Sequence, residues 1–178
     1  MPTLEGAVAS QSVSEKLIAE SLQRPTKRKT REVMQDPNAF SWEHAVQQLK
    51  EAKHKGQTII ISNGHFALFH AGHSLSLEEA REVGVEARAD HNTNGVALLV
   101  IVNNDAQTFM KDPVKAAAGN AHDRALNVYG NTYSDVVVVS EAPVGDTTLT
   151  TDFQRLANEG LIDENTIYTF HKLLFGVI

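Results

Sequence analysis

A chain of 178 residues that is 42% apolar has enough hydrophobic side chains for one core, and the absence of cysteine excludes disulfide staples, thiol redox centres and thiolate metal sites. The formal charge of −6 argues against a nucleic-acid partner, because such binders neutralise phosphates with a basic surface; small phosphorylated ligands need only a few convergent donors. Met1 to Gln11 lacks the basic start and apolar stretch of a secretory signal, and no apolar run reaches the roughly 20 residues that span a bilayer, so the expectation is a cytoplasmic protein without a membrane partner.

Residues 1–40 read as an N-terminal extension. Ser12-Val13-Ser14-Glu15 is a capping-box start for a short helix to about Arg24, ended by Pro25. Its apolar stripe, Leu17, Ile18 and Leu22, needs a covering surface, and the expected partner is the body of the protein or a second copy in a homo-oligomer. The basic run Lys27-Arg28-Lys29-Thr30-Arg31 reads as a solvated linker.

Residues 41–178 read as the main domain. Ser41 is an N-cap for a helix with Trp42, Ala45, Val46, Leu49 and Ala52 at helical spacing, closed by Gly56. Four continuous, mostly β-branched runs follow: Thr58 to Ile61, Val96 to Val102, Val136 to Val139, and Ile167 to Phe170. Continuous apolar runs fit strands buried on both faces. Leu75 to Val83, Ala121 to Tyr129 and Thr151 to Glu159 supply helices between them. The order β-α-β-α-β-α-β predicts an α/β fold with a Rossmann-like, doubly wound parallel sheet, one domain carrying the extension. Val85 to Gly95 forms a long connection in which Asp90-His91-Asn92-Thr93-Asn94-Gly95 reads as a surface loop, with a lid as the alternative.

Ligands in such sheets lie beyond the carboxyl ends of the strands, which directs attention to the segment after Ile61. Asn63-Gly64 permits a sharp turn and close approach to a ligand. His70-Ala71-Gly72-His73 then leads into a helix expected at about Ser74, so two imidazoles and several unpaired amide N–H groups face one small volume. That is an anion site. A zinc site at His65, His70 and His73 is the weaker alternative, because no nearby carboxylate would orient the imidazoles. His44, His54, His91, His122 and His171 read as incidental.

The run Asn63-Gly64-His65-Phe66-Ala67-Leu68-Phe69-His70-Ala71-Gly72-His73 resembles the H-x-G-H loop of the cytidylyltransferase-like nucleotidyltransferases, most closely the adenylyltransferase domain of the bacterial heptose-phosphate pathway. Leu77 to Gly84 is similar to that family's following helix, Val102-Asn103-Asn104-Asp105-Ala106 to its V-N-S-D-A segment, Asp123-Arg124 to its acidic-Arg pair, and Ser134-Asp135-Val136-Val137 to its aspartate entering the next strand. The resemblance covers roughly Trp42 to Phe170. It implies attack by a phosphorylated sugar or alcohol on the α-phosphorus of a nucleoside triphosphate, with pyrophosphate leaving and Mg²⁺ bridging phosphate oxygens.

By the same matching, His70 and His73 are catalytic; Asn63, Gly64, His65, Phe66, Gly72, Lys111 and Arg124 bind the nucleotide; and Asp105 lines the substrate side. The pattern is broken at two places in the loop, where Ala67 stands for the family's aspartate and His65 for its small residue or cysteine. The family's late Ser-Thr-Thr run also has no clear counterpart. These departures leave a second expectation open, a nucleotide-binding or assembly protein of the same fold that has lost turnover.

Overall fold

The structure, a computed structural model, describes residues 30–91, 95–146 and 149–169. Strands β1 (Thr58–Gly64), β2 (Val96–Val102), β3 (Val136–Val139) and β4 (Ile167–Tyr168) form one parallel sheet in the order β3-β2-β1-β4. The helices are α1 (Thr30–Met34), α2 (Trp42–His54), α3 (Ala71–His91), α4 (Asp105–Lys111), α5 (Pro113–Ala116), α6 (Ala121–Gly130) and α7 (Thr150–Asn158).

Successive strand residues point to opposite faces, so β1 and β2 supply two cores. Ile60, Leu98, Val100 and Val102 pack with Leu77 and Ala80 of α3 and with Ala125 and Val128 of α6. Ile59, Ile61, Leu99 and Ile101 pack with Trp42, Ala45 and Leu49 of α2 and with Leu156 of α7. The sheet is therefore doubly wound, as its continuous apolar runs predict. The connections through α3 and α6 cover one face and the α7 connection the other, so the chain changes direction between β1 and β4. The carboxyl ends of those two strands are where folds of this kind hold their ligands.

Several boundaries differ from the sequence reading. Asn63 and Gly64 do not form a turn; they continue β1 and pair with Ile101 and Val102 of β2. The next helix opens at Ala71, not Ser74, and runs to His91. Val85 to His91 is thus helical instead of loop, and Val85 is buried. Gly84 is the reason the helix can pass so close to the sheet: a Cβ there would lie 2.6 Å from Ile60 Cγ1.

Helix α1 was not anticipated, and Val33, Ala39 and Phe40 are buried in the α3/α6 core. Val139 N–H donates to Phe40 O at 3.1 Å, tying this stretch to β3. The helix expected from Ser12, its stripe Leu17, Ile18 and Leu22, and Lys27 to Lys29 lie outside the described residues.

Candidate functional site

The loop after β1 is built on an aromatic floor. Phe66 is buried and takes a left-handed backbone (φ 48°), the strained position of this turn, while its ring lies over Gly64; a Cβ on Gly64 would sit 3.0 Å from the ring. Phe66 and Phe69 contact the His73 ring at centroid distances of 5.2 and 5.5 Å. His70 lies against His73, with centroids 4.1 Å apart. A Cβ on Gly72 would meet His70 Cε1 at 3.0 Å, so glycine lets the first imidazole fold back over the turn.

Backbone amides select the tautomers. Gly72 N–H donates to His70 Nδ1 at 3.1 Å, and His70 N–H to His73 Nδ1 at 3.3 Å. Because both Nδ1 atoms accept, each neutral imidazole carries its proton on Nε2. The amides of His73 and Ser74 donate to His70 O. The turn's amides at 70, 72, 73 and 74 are therefore occupied, contrary to the expectation of several unpaired ones, and the imidazoles become its principal donors. They stand at the N-terminus of a 21-residue helix, where the peptide dipoles favour an anion.

Arg124 braces this loop from beneath. It is buried on α6, and Nη1 donates to His65 O at 2.6 Å and to Asn103 O at 2.9 Å, while Nη2 donates to Asp105 Oδ1 at 2.7 Å. One guanidinium thus fixes the loop, the end of β2 and the start of α4. Asp105 remains largely exposed, and Asn104 caps its helix through a reciprocal bond with Gln107.

His65 turns towards α4. Its Nδ1 lies 3.2 Å from Thr108 Oγ1, whose single proton is donated to Asn104 O. Thr108 consequently accepts, and His65 carries its proton on Nδ1. Burial, followed by the charges of Lys111, Arg124 and Lys115, lowers the His65 pKa to about 4. It is a neutral group near neutral pH, and two lysines lie within electrostatic reach of it. Lys115 was missed by the sequence reading; its spacing of four from Lys111 was the available signal.

Asn63, at the carboxyl end of β1, accepts from Tyr168 Oη at 2.7 Å. Tyr168 was also missed, because its proximity follows from strand order. Ala67 is half-buried and brings no polar group to the loop. Among the described residues, no group of three or more His, Cys, Asp or Glu could hold a metal ion, which removes the basis for a zinc triad. An open depression of about 570 Å³ along Glu43, Val46, Lys50 and His54 lies on α2 and not at this loop.

Among the described residues no helix is long and apolar enough to cross a membrane. No family model matches the chain. It is 35% identical over 109 residues to ethanolamine-phosphate cytidylyltransferase of Arabidopsis thaliana, a match covering 60% of this chain and 23% of that protein. It is 37% identical over 60 residues to the bifunctional protein HldE of Magnetococcus marinus, covering 34% of this chain and 12% of that protein. The matches span less than a quarter of the length of these curated relatives.

Proposed function

We propose that this chain, cytidylyltransferase-like over the part its relatives match, transfers a nucleoside monophosphate from a nucleoside triphosphate to a phosphorylated sugar or alcohol. The observation that carries the reading is the pair of touching imidazoles at the α3 N-terminus, both with backbone-selected Nε2 protons. An acceptor phosphate oxygen forms a bond to the α-phosphorus as the bond to the bridging oxygen breaks. Pyrophosphate carries away the bonding pair. Charge grows on phosphate oxygens during this exchange, and preorganised donors act most strongly on charge that grows.

His70 and His73 are the proposed donors to the triphosphate. Gly64, Phe66 and Gly72 shape the turn that holds them, while Lys111 and Lys115 add positive charge on the α4/α5 side. Asp105 and Arg124 act together, the arginine fixing the carboxylate at the acceptor side. Mg²⁺ would come with the triphosphate, in keeping with its preference for phosphate and water ligands. It would offset phosphate charge there.

Pyrophosphate release measured across ATP, CTP, GTP and UTP with a panel of sugar and alcohol phosphates tests the reaction. Release that depends on one acceptor class supports it. The second reading, a domain that binds nucleotide without efficient transfer, rests on Ala67, which cannot accept a hydrogen bond where the resembled family has an acid. Saturable triphosphate binding with no release for any pair would favour that reading. Self-association is proposed as well, supported by exposed Phe109, Met110, Val114 and Val144; a monomer mass by light scattering would overturn it.

A further inference from the structure

We infer that Tyr168 is a positioning residue for the nucleotide, holding the Asn63 carboxamide so that its Nδ2 donates to the bound triphosphate. The inference rests on the function proposed above and extends it to a residue on β4. Tyr168 pairs in register with Ile61, and Asn63 follows two residues later on β1. The two side chains therefore meet at the carboxyl ends of β1 and β4, across the change in chain direction, and not within a single local turn.

The contact holds the carboxamide in place. Tyr168 Oη donates to Asn63 Oδ1 at 2.7 Å, an ordinary short hydroxyl bond, so the carboxamide's acceptor end faces β4. Its Nδ2, with two donors, is directed away from the tyrosine and makes no hydrogen bond among the described residues. A carboxamide free to flip would offer donor and acceptor ends alternately, and an acceptor facing phosphate oxygen repels it. A phenol can also accept, so the tyrosine alone does not fix the flip; an anion facing the carboxamide favours Nδ2 outward, and Tyr168 then satisfies Oδ1 by donating to it. The ring is itself held edge-on to Phe153 of α7 at a centroid distance of 5.0 Å, so the hydroxyl is presented from a fixed base. Burial raises the Tyr168 pKa, keeping the hydroxyl in its donating form.

Titration calorimetry and steady-state kinetics on the full chain test this with the Mg²⁺ complexes of ATP, CTP, GTP and UTP. Tyr168→Phe keeps the ring against Phe153 and removes only the hydroxyl. For whichever triphosphate the wild type binds, the variant should weaken affinity roughly 2- to 10-fold, the worth of one net hydrogen bond, and raise KM more than it lowers kcat. Asn63→Ala should lose at least as much, and adding Tyr168→Phe to it should cost nothing further, because the tyrosine acts through the asparagine.

Wild-type affinity in Tyr168→Phe, or additive losses in the double variant, would overturn the positioning role while leaving the proposed function standing. A wild type that binds none of the four triphosphates would overturn both. The melting temperature of each variant without ligand separates a loss of binding from a loss of folding; if Tyr168→Phe melts early, Asn63→Ala and Asn63→Asp in a folded background read the same contact.

Discussion

Four positions of the loop make separable predictions. His70 and His73 present donors fixed by the backbone, and losing one such donor costs on the order of 2.7–4 kcal/mol, or about 10²–10³ in rate. His70→Ala and His73→Ala should each lower pyrophosphate release by that factor; wild-type rates in both would remove the imidazoles from the mechanism. Ala67→Asp restores an acceptor inside the loop and should raise turnover, or waken a silent wild type, in the same assay. His65 behaves differently because burial lowers its folded pKa to about 4, below the usual histidine value of 6.5. Above pH 6.5 it is neutral folded and unfolded; as pH falls towards 4 the unfolded chain takes up a proton that the folded chain refuses, so stability is lost. Urea unfolding between pH 7 and 4 should show a shallower loss in His65→Asn than in the wild type. The loop was legible because the imidazoles, glycines and phenylalanines that build it are neighbours in the chain. Thr108 and Tyr168 were not, since each reaches the site through a helix or a strand order that local spacing does not encode, whereas Lys115 was signalled by its spacing of four from Lys111.

Elements are tied together by a second buried arginine. Arg81 of α3 pairs with Asp135 at the entry to β3 and also donates to Tyr133 O and Val96 O, while Asp135 accepts from Leu98 N–H at 2.9 Å. Helix α3, β2 and β3 therefore share one charged junction below the sheet. Removing one partner leaves the other charge buried and unpaired, which costs about 3–5 kcal/mol, so Asp135→Ala should lower the urea midpoint sharply without changing the loop residues. An unchanged midpoint would refute that account. The strands were readable from composition because burial on both faces makes them uniformly apolar; β2 and β3 occur with the predicted bounds. Helices α4 and α5 were missed because they are short, interrupted at Asp112-Pro113, and leave Phe109, Met110 and Val114 exposed, so no apolar stripe marks them. Gly84 misled in the opposite direction. It looks like a stop for α3, yet serves as the point where the helix presses on β1.

At the scale of the whole molecule, a chain of formal charge −6 is proposed to attract a highly anionic ligand, and the two statements are compatible only if the attraction is local. The loop after β1 supplies that locality: a helix N-terminus, two imidazole donors, and two lysines within reach of His65. Mg²⁺ offsets part of the ligand's charge, so the complex should bind better than the free triphosphate. Ligand that binds only the folded chain stabilises it by RT ln(1 + [L]/Kd), about 2.7 kcal/mol at a hundred times Kd. For a chain of this size each kcal/mol raises Tm by about 2–4 °C, which sets the expected rise at roughly 5–11 °C. Thermal unfolding with millimolar ATP, CTP, GTP or UTP, each with and without Mg²⁺, measures it. A rise for at least one triphosphate that shrinks when Mg²⁺ is chelated is the expected outcome, and it should be smaller in His70→Ala and His73→Ala. No rise with any of the four would count against transfer and against nucleotide binding alike, because both readings require the loop after β1 to hold a triphosphate.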